Sequence, residues 1–265
     1  MTDLALPAAG FADRAFRIGT ALNKALAVLS RNLLPFCIVS GIAALPNLLW
    51  SNDAINTSEE LFWSAVGVAL SLAFGEPSRD LLWSAAGVLL AIVLGALCQA
   101  IMLYGALEHM RGRPVSLMAS FQVAWRRFLP VIAVGLCVAL MVGLGYLLLI
   151  IPGFMLLTMW YVATPACVVE QLGPRQSLRR SAALTRGHRW QIFGMMVLVG
   201  FAGAIGSGLV EAIARVGGPQ VLLVAKLAFT ALYTAFSAIL AVVTYHDLRL
   251  AKEGGDTDHI VAVFD

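Results

Sequence analysis

Trp125-Arg126-Arg127-Phe128-Leu129-Pro130 leads into VIAVGLCVALMVGLGYLLLI (Val131 to Ile150). Ile151-Pro152-Gly153 comes next, then FMLLTMWYVATPACVV (Phe154 to Val169), and only then Glu170. As a helix rising roughly 1.5 Å per residue, Leu129 to Ile150 is long enough to cross a hydrocarbon core of roughly 30 Å. Proline cannot continue a helical ladder and glycine accepts turn geometry, so Pro152-Gly153 is expected to break the helix sharply into a tight hairpin. Phe154 to about Val169 returns across the membrane, with a kink expected at Pro165. Arginines at both ends of this hairpin put those ends on one side, the cytoplasmic one by the positive-inside rule.

Working outward, the same reading gives four more spans: Leu33 to Trp50, Leu81 to Ala106, Ile192 to Ile213 and, after Arg215-Val-Gly-Gly-Pro219, Gln220 to Tyr245. Fifteen of the eighteen Lys and Arg residues fall in four segments: Met1 to Asn32, Glu108 to Phe128, Gly173 to Gln191 and His246 to Asp265. These alternate with connectors poor in positive charge, which gives six spans with both termini in the cytoplasm. Leu61 to Gly75 is apolar but covers only roughly 22 Å as a helix. Counting it as a crossing would reverse the side of every later arginine, so it is placed as an outer interfacial or re-entrant helix, or as an extension of the second span.

Composition agrees, because 60% hydrophobic and 12% charged residues leave too little polar surface to cover a soluble globule of 265 residues. The net charge of +3 matters through its concentration on one side, where anionic lipids attract it, and nucleic acid is a poor partner by comparison. The first residues have neither a basic start nor a sufficient apolar run for a cleaved signal peptide, so the first span is expected to direct insertion. Cys37, Cys98, Cys137 and Cys167 are scattered without CxxC spacing and read as small apolar fillers.

Three inner connectors share a pattern of a basic amphipathic helix leading into a span. In the first, Phe11, Ala15, Ile18, Leu22, Leu26 and Leu29 form an apolar stripe with Arg14, Arg17, Lys24 and Arg31 off it. In the second, Pro114 and Ser116 open a helix with Leu117, Phe121, Ala124 and Phe128 on one side and Arg126 and Arg127 at its end. Pro174 fits the first helical position of the third and Gly187 its C-terminal cap. Arg31-Asn-Leu-Leu-Pro35 also rhymes with Arg126-Arg-Phe-Leu-Pro130. The expected fold is therefore an all-α integral membrane protein of six transmembrane helices in three hairpins, each preceded by a basic interfacial helix. Its units span roughly 11–107, 112–172 and 174–246 in a single domain, with a short cytoplasmic tail at 247–265.

Ile151-Pro152-Gly153, Glu170, the stretch Gly173-Pro174-Arg-Gln-Ser177-Leu178-Arg179-Arg180-Ser181-Ala-Ala-Leu184-Thr185-Arg-Gly187, and Tyr245-His246-Asp247-Leu248-Arg249 followed by Glu253-Gly254 resemble a known group. This is the bacterial multi-pass family called the glycerophosphoryl diester phosphodiesterase membrane domain, with its stand-alone relatives. The likeness covers most of the chain in layout, and its specific words lie between Ile151 and Gly187 and at the end. It implies a six-helix protein of the bacterial inner membrane whose biochemical role is undefined. In the fused members the phosphodiesterase chemistry looks to belong to a separate soluble barrel. Nothing here is long or polar enough to be that barrel, so the resemblance implies a membrane module and not an enzyme.

The residues agree, since no P-loop, GxSxG, HExxH or paired CxxC word is present, and neither a cofactor nor a metal is expected. Arg175, Arg179, Arg180, Arg186 and Arg189, with Arg126 and Arg127, are the candidates for docking anionic phospholipid headgroups or a protein partner, because guanidinium geometry matches phosphate. Glu170, His246, Asp247 and Arg249 are expected to form an inner polar cluster that docks a basic connector. Glu211 and Lys226 are a candidate intramembrane pair, and with Pro165 they motivate the alternative of a solute or lipid transporter with a pathway between repeat units. Gly200, Gly203, Ala204, Gly206 and Gly208 offer close helix packing within the chain or between copies.

Overall fold

The computed structural model describes residues 17–50, 79–110 and 117–264, and every regular element among them is a helix. In chain order these are α1 (Ile18–Arg31), α2 (Leu33–Trp50), α3 (Arg79–Met110), α4 (Leu117–Leu148), α5 (Ile150–Trp160), α6 (Ala163–Val169), α7 (Pro174–Thr185) and α8 (Arg189–Phe264). Among the described residues, Ala124–Tyr146, Ile151–Val169, Arg189–Ile213 and Gln220–Glu253 are long and apolar enough to cross a membrane. Ile18–Arg31 and Leu33–Ala43, bent by 93°, make a fifth if taken as one broken span. Ile92–Glu108 of α3 is a further apolar stretch. Leu61 to Gly75, Phe11, Arg14, Pro114 and Ser116 lie outside the described residues.

α1 and α2 meet at a bend of 93°. Asn32 makes the turn at φ −132 and ψ 37, with its N–H on the Leu29 carbonyl at 3.1 Å. The buried face of α1 is Ala21, Ala25, Val28 and Leu29, while Leu26 is exposed, so the stripe is rotated from the one read off the larger residues. Small side chains win because α1 packs closely along α8, leaving Leu26 for the lipid side.

The second basic segment behaves differently. α4 is one helix of 32 residues that carries Pro130 inside it, so no separate interfacial helix precedes this span. The two rhyming junctions differ at the residue that turns the first, because Asn32 is replaced by Arg127. Asparagine suits a helix end, whereas arginine is a good helix former, and the bond that Pro130 removes lies near the polar end of the span. In the third unit α7 is separate, with Pro174 at its start and Gly187 just past its C-cap Arg186 at φ 95.

The hairpin between α4 and α5 turns at Leu149, which is extended at φ −162 and ψ 143, so Pro152 falls in the first turn of α5 and not at the break. Gly153 still matters, because a Cβ there would lie 2.6 Å from the Tyr146 ring, and one on Gly145 would lie 3.0 Å from the Gly153 Cα. Pro165 has the expected consequence. It supplies no N–H to the Tyr161 carbonyl four residues back, and the span is interrupted at Tyr161 and Val162. α8 breaks at Gly218 (φ 82, ψ 175) into two limbs, and its second limb continues as helix through the expected tail to Phe264.

Gly203 and Gly206 on the first limb receive the aromatic rings of the second. A Cβ on Gly203 would meet Tyr233 at 2.7 Å, and one on Gly206 would collide with Phe229, whose ring stacks on Tyr233 at 6.0 Å. These glycines therefore serve packing within the chain. Gly200 and Gly208 have open space where a side chain would go.

The buried core is not centred along the spans. It gathers Ala21 and Ala25, Phe36, Ala100 to Leu103, Ala124, Val131, Val162 to Val168, Ile192 and Ala235 to Leu248, with Ser40 holding α2 to α8 by its hydroxyl 2.9 Å from the Ala231 carbonyl. Leu140, Leu144, Ile151, Phe201, Ile205, Leu209 and Val224 are exposed, as lipid-facing side chains are. The glycine break gives a first prediction. Gly218→Ala puts a Cβ where only glycine is at ease, at a cost of roughly 1–3 kcal/mol, and should lower thermal stability in detergent. Gly208→Ala, in helix interior with free space, should leave it unchanged or raise it. Equal melting of the two variants would contradict the assigned break.

Candidate functional site

The site is built where the interrupted span ends. α6 closes at Glu170, and the chain reverses through Gln171 at φ 55, a left-handed value uncommon outside glycine and asparagine. Arg127 of α4 holds this residue, donating to its carbonyl at 3.1 Å and its side-chain Oε1 at 2.7 Å. Gly173 then opens α7, its carbonyl accepting from the Ser177 N–H and hydroxyl, each at 2.9 Å.

α7 turns hydroxyls inward. Ser177, Ser181, Leu184 and Thr185 are buried at helical spacing, while Arg175, Arg179 and Arg186 are exposed. The inward hydroxyls serve the broken span: Ser181 donates to the Met159 carbonyl at 2.8 Å, and the Thr185 hydroxyl lies 3.2 Å from the same carbonyl. Polar groups at a helix break need such partners where no water can supply them.

Glu170 joins three elements. One of its oxygens accepts from the Tyr245 hydroxyl of α8 at 2.6 Å and from Arg180 Nε of α7 at 2.8 Å. Arg180 also donates through Nη2 to Glu253, whose second oxygen accepts from Arg249 Nε at 2.5 Å. Burial works to lower the Arg180 pKa, but the hydrogen bonds it donates to Glu253 and Glu170 outweigh it and leave the group above its ordinary value. Lys252 caps the arrangement by donating to the Ala183 carbonyl. On the other side of α8, Asp247 accepts from Lys24 of α1 at 2.8 Å, with His246 Nδ1 3.8 Å away, too long for a hydrogen bond. A pocket of about 350 Å³ lies beside the cluster, lined by Leu107, Val169, Tyr245, His246, Arg249, Leu250 and Glu253.

The structure thus divides the arginines that the sequence groups together. Arg180 and Arg127 are occupied by side chains and backbone of the bundle. Arg175, Arg179, Arg186 and Arg126 are exposed, and the Arg189 Nε is buried with no hydrogen-bond partner among the described residues. Glu170 and Arg249 meet in one network, whereas Asp247 and His246 belong to the α1 contact. Glu211 is exposed on the first limb of α8 and Lys226 is half-buried on the second, and the described ion pairs include none between these two.

Tyr245, Glu253 and Gln171 are the members that residue reasoning gave no role, while Lys24 stood only on the basic face of the first connector. The first two stand inside the quoted terminal motif. Among the described residues there is no group of three or more His, Cys, Asp or Glu side chains placed to hold a metal ion.

Fold and site together define an all-helical membrane protein with a charged, hydrogen-bonded cap at one end of its bundle. Residues 16–247 match the family described as Domain of unknown function (DUF7847), and the chain belongs to that family. No curated protein and no solved structure matches it.

If the Glu170 network holds the cap together, Glu170→Gln should destabilise the protein by roughly 1–3 kcal/mol, the range for a hydrogen bond to a charged group. A double-mutant cycle of Glu170→Gln with Tyr245→Phe, followed by unfolding in detergent, should give a coupling energy above about 0.5 kcal/mol. Additive losses would show that the two side chains act separately.

Proposed function

We propose that this protein is a non-catalytic module of the bacterial inner membrane that docks anionic phospholipid headgroups on the outer face of α7. In this reading the chain crosses six times with both termini in the cytoplasm, in three hairpins that include Leu81 to Ala106 as the second span. The likeness of Ile151 to Gly187 to the glycerophosphoryl diester phosphodiesterase membrane domain family is kept as part of the proposal.

What supports it is the separation of guanidinium groups by role. Arg175 and Arg179, one turn apart, and Arg186 at the C-cap are exposed beside a helix anchored by buried hydroxyls and by Arg180. A rigidly held basic helix at the membrane surface presents charges to phosphates, and each such arginine contributes about 1 kcal/mol of attraction to an anionic leaflet. Membrane organisation or recruitment of a protein partner would use the same surface.

The test measures lipid retained by the full chain after gentle extraction in neutral detergent. Phosphatidylglycerol and cardiolipin should be enriched over phosphatidylethanolamine, and Arg175→Gln, Arg179→Gln and Arg186→Gln together should lower that enrichment by about fivefold per arginine. Unchanged enrichment would contradict the reading. Impermeant thiol reagents should label a cysteine at position 58 in intact cells and spare those at 112 and 187, and the reverse pattern would overturn the topology.

A further inference from the structure

Glu253 stands one helical turn beyond Arg249, and its two oxygens are held by two different guanidiniums, Arg180 through Nη2 and Arg249 through Nε. Two such donors converging on one oxyanion form a cradle that suits a phosphate group equally, since guanidinium forks match the oxygens of both. The adjoining pocket, about 350 Å³, falls near the lower end of the roughly 300–1,000 Å³ typical of ligand sites. Leu107, Val169 and Leu250 give it an apolar wall, and Tyr245, His246 and Arg249 a polar one.

The two carboxylates of the network are held unequally. The Glu170 side chain is 17% exposed, whereas that of Glu253 is 41% exposed and that of Arg249 45%. Exposed ion pairs contribute little to stability, so Glu253 is the member that a more highly charged oxyanion can replace.

Depth fits as well. Gln220–Glu253 is 34 residues, about 51 Å of helix against a hydrocarbon core of roughly 30 Å, so its charged end extends into the headgroup layer and beyond. Gly254-Gly255 follow directly, and glycine weakens a helix relative to alanine.

We propose that Arg180 and Arg249 form a phosphate-binding site which Glu253 fills in this structure, and that a phosphate-bearing ligand entering the pocket displaces Glu253 and releases the helix end behind it. Glu253 is then a built-in competitor. The inference uses none of Arg175, Arg179 and Arg186, so it stands or falls apart from headgroup docking on α7.

Native mass spectrometry of the full chain in a maltoside detergent tests it, with glycerol 3-phosphate in one arm, dihexanoyl phosphatidate in the second and phosphate-free dihexanoylglycerol in the third. One equivalent of a phosphate probe should bind. Glu253→Gln should tighten binding about tenfold by removing the competitor, and Arg249→Gln, which is not on α7, should weaken it at least tenfold. Preference for glycerol 3-phosphate supports the site and assigns it to a soluble phosphoester, while preference for phosphatidate supports it and assigns it to lipid. Equal binding of dihexanoylglycerol, no stoichiometric phosphate binding, or unchanged affinity in both single variants would overturn the proposal.

Discussion

The Glu170 carboxylate is the point at which the bundle is tied. A single oxygen receives a phenol from α8 and a guanidinium from α7, while the residue itself ends the short α6. Without that tie α7 would keep its hydroxyl contacts to the Met159 carbonyl, the Lys252 bond to the Ala183 carbonyl and the buried Leu184, but the arginine bridging to Glu253 would lose its more buried partner. α7 comes back against the span where it is interrupted, its Ser181 hydroxyl reaching the Met159 carbonyl. A straight helix would need no hydroxyls from α7 at Met159, and the chain reversal at Gln171 could not bring α7 back against it in the same way.

Placing the core at this end follows from the solvent. Lipid tails are as apolar as leucine, so burial of apolar side chains alone does not hold membrane helices together. Close packing and hydrogen bonds do, and both gather here: small residues of α1 against α8, Ser40 on the Ala231 carbonyl, and the charged cap. Elsewhere the limbs of α8 are joined by glycines that admit Phe229 and Tyr233, and much of their remaining surface is exposed to lipid. What the fold shows at this end of the bundle is a hydrogen-bonded cap with outward-facing arginines.

Local chemistry made much of this legible in the sequence. The spans after Leu129, the break near Gly218, the interruption at Pro165 and both ends of α7 follow from apolar length and from what proline and glycine can do at their own positions. Pairings across long separations were not legible. Arg179 and Arg180 are neighbours of the same type, yet one is exposed and the other lies between two carboxylates, a difference set only by where α6 and α8 come to rest. Tyr245 is 75 residues from Glu170, and Arg127 is 44 from Gln171. The apolar stripe of α1 was misplaced because residue size ranked Leu26 above Ala25, whereas close packing ranks them the other way.

Hydrogen exchange of the full chain in detergent, compared between the native sequence and Glu170→Gln, tests most directly whether one carboxylate ties the cap to the spans. The account predicts faster exchange confined to α7 and to the part of α8 around Tyr245 to Glu253, with Leu129 to Leu148 unchanged. Unaltered exchange in α7, or acceleration spread evenly over every helix, would contradict it.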